Sequence, residues 1–153
     1  MDRTKSAIQS LNDLILINND RIKGYERAIS ELTPGDTDLK HLFTNLTGES
    51  HQFKLEIATE VAALGKDIET GTTISGKLHR TWLDAKAIFS GDSKRSILEE
   101  CEFGEDAILK AYKSALTQGI LPAYIREILS NHQPVLQAAH DRIKALRDKA
   151  ASQ

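Results

Sequence analysis

An all-α domain built from long amphipathic helices is the fold class the sequence predicts, and three observations predict it. Aliphatic residues recur at three- and four-residue steps over four long stretches, the period of a helix with one buried face. Aromatic residues make up 5% of the chain and there are only three prolines, which favours aliphatic helix packing over a β-sandwich. At 153 residues the chain can bury a core as one domain without a disulfide or a stapling metal.

The first predicted helix covers about 5–33, with Ala7, Leu11, Leu14, Ile15, Asn18, Ile22, Tyr25, Ile29 and Leu32 on its stripe. Thr33-Pro34-Gly35-Asp36-Thr37 stops it, because Pro34 disfavours helical geometry before it and Asp36 or Thr37 can cap the next helix. The second helix, about 37–66, carries Leu39, Leu42, Phe43, Leu46, Phe53, Ile57, Val61 and Leu64, and Gly65 marks its end. A loop-like Thr70-Gly71-Thr72-Thr73 and a short helical stretch over about 75–90 form a crossover, and Ser93 is placed to cap the third helix, about 94–118. Pro122 suits the first turn of the fourth, about 122–149, in which Pro134 predicts a local irregularity.

Net charge of -2 and a pI near 6.2 supply no basic patch for phosphate neutralisation, so no nucleic-acid partner is expected. One cysteine cannot form an internal disulfide, and Met1-Asp2-Arg3-Thr4-Lys5 leads into an amphipathic segment without an apolar signal core, so the expected compartment is the cytoplasm. No run approaches the roughly 18 apolar residues of a membrane span. Neither a glycine-rich phosphate loop after a strand nor a serine nucleophile motif is present, which leaves hydrolase and nucleotide-binding readings without support.

Short, long and short connections make the first two helices one antiparallel hairpin, the last two another, and the second and third helices parallel. That is the ferritin-like connection pattern, with one long crossover. On this topology Glu26, Glu49, Glu102, Glu105 and His140 fall at one level, within about 6 Å along the axis at 1.5 Å per residue. Each sits among apolar stripe positions: Glu26 between Ile22 and Ile29, Glu49 between Leu46 and Phe53, His140 between Leu136 and Ile143. On the third helix two overlapping faces are possible, Leu98-Glu102-Glu105-Leu109 or Cys101-Glu105-Ile108-Tyr112. Carboxylates with an imidazole suit iron, manganese or zinc. Ferritin-like carboxylate centres use two Glu-x-x-His pairs, and both are broken here, since Gln52 stands three residues after Glu49 and Gln137 three before His140.

The phrases Leu11-Asn12-Asp13-Leu14, Gly24-Tyr25-Glu26, Ser75-Gly76-Lys77-Leu78-His79-Arg80-Thr81-Trp82, Glu99-Glu100-Cys101-Glu102-Phe103-Gly104-Glu105-Asp106-Ala107 and Ala139-His140-Asp141-Arg142-Ile143 span nearly the whole chain. On them it resembles a bacterial ferritin-like four-helix-bundle family of unknown function, related in fold to the rubrerythrins. The resemblance implies that fold and an association with stress, without an established reaction. Two functional readings are open. One is a stress-associated structural or interaction protein with a metal-free polar layer, in which His140 pairs with Glu102 or Glu105 and Asn18, Tyr25 and Tyr112 satisfy the rest. The other is a metal-binding protein using Glu26, Glu49, Glu102, Glu105 and His140. His132 reads as a hydrogen-bonded core residue, Cys101 as a packed thiol. A homodimer is expected, with His79, Arg80, Trp82 and Phe89 of the crossover at its interface.

Overall fold

The computed structural model describes residues 3–65 and 93–151. Among them every regular element is a helix: α1 (Arg3–Glu31), α2 (Thr37–Ala63), α3 (Lys94–Thr117) and α4 (Ala123–Ala151). The expected crossover helix over about 75–90 lies outside the described residues. No described helix is long and apolar enough to cross a membrane.

Local chemistry sets the helix ends. Asp36 occupies the N-cap position of α2, but its carboxylate turns back to the loop, accepting from Thr33 N at 3.3 Å and Thr33 Oγ1 at 2.8 Å, and it meets Lys94 Nζ at 3.1 Å. One side chain therefore closes the α1–α2 turn and ties the start of α3 beside the start of α2. Ser93 caps α3 as expected, its Oγ accepting from Ser96 N at 3.2 Å. α4 runs through exposed Pro134, which lacks only the one donor that its position would have supplied. Gly65 ends α2 at φ +85°, with its N–H bonded to Ala62 O at 3.0 Å. A Cβ there would meet nothing within 4 Å, so the requirement for glycine is purely one of backbone conformation. Gly65→Ala is expected to cost about 1 kcal/mol, as a lowered thermal midpoint.

α1 packs against α2 and α3, and α4 against α3 and more lightly against α2. Two apolar clusters fill the bundle. One joins the early part of α1 to the late parts of α2 and α3 and the early part of α4, through Leu11, Ile15, Phe53, Ile57, Ile108 and Leu129. The other joins the late part of α1 to the early parts of α2 and α3 and the late part of α4, through Tyr25, Phe43, Leu46, Leu98, Cys101 and Ile143. That pairing of ends makes α2 and α3 parallel, as the long crossover requires. α1 is buried on every side from Leu14 to Ile22. The polar residues of that span lie where the two clusters meet.

Candidate functional site

Arg21 is the centre of this polar layer. Its side chain is 1% exposed, and its planar guanidinium presents five N–H groups in a fixed fork. Nε donates to Glu105 Oε1 at 2.5 Å and Nη2 to Glu105 Oε2 at 2.9 Å, a two-pronged pair across α1 and α3. Nη2 also donates to Glu49 Oε1 at 3.0 Å, while Nη1 donates to Ser50 Oγ at 3.0 Å and to Leu46 O at 3.3 Å, all on α2. Every donor of the guanidinium is thus engaged, and three helices meet on one side chain. Burial opposes the charge of Arg21, and Glu105 beside it more than restores it. Burial raises the Glu105 carboxyl above its ordinary range against the opposing pull of Arg21, and the two-pronged hydrogen bonds from a guanidinium that does not deprotonate hold the pair as cation and carboxylate. The Tyr25 ring lies against the same cation, 5.6 Å from Arg21 Cζ.

A second polar chain crosses the bundle with one residue from each helix. Asn18 Nδ2 donates to Leu14 O at 2.9 Å and to the Tyr112 hydroxyl at 3.3 Å. That hydroxyl lies 2.9 Å from His132 Nδ1, and His132 Nε2 lies 2.5 Å from Glu56 Oε1. One tautomer satisfies the whole series: Nε2–H donates to Glu56, and Nδ1 accepts from Tyr112. Burial lowers the His132 pKa against the pull of Glu56, in keeping with a neutral ring, which stacks on Phe53 at 4.0 Å. His132 is the hydrogen-bonded core residue that its place on the α4 stripe predicts.

The five residues expected in one layer divide among three settings. Glu105 and Glu49 reach the layer, where Arg21 holds both. Glu26 is exposed. The inward line of α1 runs through Asn18, Arg21, Tyr25 and Ala28, and Glu26, one residue past Tyr25, is turned about 100° away from it. On α3 the inward face is Cys101-Glu105-Ile108-Tyr112, which places Glu102 at the edge of the groove facing α4. There it meets His140, which lies beside buried Ala139 rather than on the inner line. Among the described residues, one group of three histidine or carboxylate side chains brings its ligand atoms within 4.8 Å of one another, and it is Glu102, Asp106 and His140. The single five-residue layer is therefore not formed. Cys101 is buried, and burial pushes its thiol up, which makes it inert packing.

Arg21 was missing from the expected set because a lone arginine on a helix reads as surface charge until its partners are known. The signal was its spacing, three residues after Asn18 and four before Tyr25, on a stripe that is mostly apolar. A ferritin-like fold implies a pair of metal ions among core carboxylates, and the core donors do not fit one. Both reachable carboxylates are bound to a fixed internal cation, Gln52 bonds Glu56 at the surface, and Gln137 bonds Asp141 there.

The antiparallel hairpins, the parallel α2 and α3 and the central polar layer define a ferritin-like four-helix bundle. A Dps1 mutant from Mycobacterium smegmatis is similar in structure, with a TM-score of 0.83 at 15% sequence identity, over 95% of this chain and 97% of that one. No curated protein compared with the chain matches it. Residues 6–118 match the domain of unknown function DUF2383, and the chain belongs to that family.

Proposed function

We propose that this chain is a stress-associated, cytoplasmic structural or interaction protein whose ferritin-like core is closed by an internal ion pair and is not a di-metal oxidase. The observation that supports the reading is the Arg21 guanidinium, buried between Glu105 and Glu49 with all five donors engaged. A di-metal centre needs carboxylate oxygens that are free to bind metal, and it must also open a coordination position to oxygen. Here the same oxygens neutralise a charge that the protein carries permanently, since arginine does not deprotonate in proteins. The stress association and the fold kinship with rubrerythrins rest on the sequence phrases that carry the family resemblance. The assembly that goes with this reading is a homodimer, to be checked by light scattering, and a monomer at all concentrations would remove it.

Protein purified without chelator should contain no stoichiometric metal that depends on Glu49 or Glu105, and should oxidise iron(II) no faster than buffer. A pair of irons per chain that disappears in Glu105→Gln would overturn the proposal. The second reading, a protein that binds iron, manganese or zinc, has one observation in its favour, and it lies outside the core.

A further inference from the structure

In the groove between α3 and α4 the geometry points to a mononuclear site for a divalent first-row transition ion, with His140, Glu102 and Asp106 as ligands. Glu102 and Asp106 are four residues apart on α3 and so point the same way, and His140 faces them from α4. His140 Nε2 lies 2.7 Å from Asp106 Oδ1 and 3.7 Å from Glu102 Oε2. Ligand atoms held about 2.1 Å from a tetrahedral ion stand about 3.4 Å apart, so the three side chains need only small rotations to surround one. The site is open on one side, because Asp106 is 62% exposed while His140 and Glu102 are largely covered.

Two neighbours hold the ligands in position. Asp141 Oδ1 lies 3.2 Å from His140 Nδ1, the carboxylate-to-imidazole arrangement that keeps the proton on Nδ1 and leaves Nε2 to bind metal. Arg147 Nη1 bonds Glu102 Oε1, which leaves Oε2, the oxygen on the His140 side, as the ligand atom. Arg147 is itself fixed by Asp148, at 2.7 Å from Nη2 and 3.1 Å from Nε. An imidazole beside two carboxylates prefers zinc or manganese to magnesium or calcium, whose coordination is nearly all oxygen. The groove lies outside the Arg21 layer, so an ion bound here leaves the core ion pair intact.

Titration calorimetry of the full chain with zinc chloride tests the site. One ion per chain is expected, undiminished by a hundredfold excess of magnesium. His140→Ala and Asp106→Asn should each weaken binding at least tenfold, and zinc should raise the melting temperature of the wild type but not of His140→Ala. His51→Ala, at an exposed histidine on α2, should bind as the wild type does. Absence of zinc binding, unchanged binding by His140→Ala, or loss in His51→Ala would overturn the assignment while leaving the core reading untouched. Iron lost in Glu105→Gln would do the reverse.

Discussion

Arg21→Met should destabilise the bundle by about 3–5 kcal/mol, read from urea unfolding followed by circular dichroism at neutral pH. The cost comes from what the substitution leaves behind. Methionine fills much of the arginine stem's volume, but Glu105 is fully buried and would keep a carboxylate with neither partner nor water. Ser50 Oγ and Leu46 O would each lose a donor as well. Glu49, 29% exposed, can turn to solvent and contributes less to the loss. The double variant Arg21→Met, Glu105→Leu removes both charges and fills the layer with apolar side chains of similar length. It should recover most of the stability, because a buried ion pair is costly to break and cheap to replace whole. The interaction energy from this cycle separates an ion pair from mere packing. A single Arg21→Met variant within about 1 kcal/mol of the wild type would refute the central place given to the guanidinium. Added iron or manganese should not rescue it if the layer has no ligand set of its own.

The fold was legible because its signals repeat. Leu11, Ile15, Phe53, Ile57, Ile108 and Leu129 each recur at helical steps, and many positions vote for the same face. The unequal connections then select one topology from those available to four helices. The site was legible only in part, because a polar layer holds few residues and each direction must be correct on its own. Two overlapping faces are possible on α3, and both include Glu105 but only one includes Glu102. Packing against α1 settles Glu105 inward, since Arg21 offers it two hydrogen bonds, and Glu102 falls at the edge. Glu26 failed for a similar reason: Ile22 and Ile29 around it suggested burial, yet Tyr25 is the residue that packs inward, on Phe43 at 5.2 Å. Of the two histidines on the α4 stripe, only His140 departs from its expected place. His132 crosses the core, and His140, expected there, faces a groove with Asp106, which the helical period did not single out.

Lowering the pH from 7.5 to 5.5 should destabilise the wild type more than His132→Phe. Burial holds the folded-state pKa of His132 below its ordinary value of 6.5, even with Glu56 beside it. Between those two values the unfolded chain binds more protons than the folded one, so stability rises with pH. The contribution of His132 is complete above 6.5 and is lost as pH falls through 6.5 toward the lower folded value. The structural reason lies at Nδ1, which accepts the Tyr112 proton in the neutral ring and becomes a donor when protonated. Tyr112 would then face two donors, Asn18 and His132, and would have to turn its own proton elsewhere in a buried site. Glu56, held below the usual carboxylate range first by Gln52 and then by His132, acts in a lower window, near and below 4.5, and does not produce this slope. At pH 7.5 the phenylalanine keeps the stack on Phe53 but removes the acceptor for Tyr112, at a cost of about 1–3 kcal/mol. His132→Phe with Tyr112→Phe should regain part of that, since no buried hydroxyl is then left unpaired. Parallel losses in the wild type and His132→Phe between pH 7.5 and 5.5 would show that other histidines, not this four-helix relay, set the acid sensitivity.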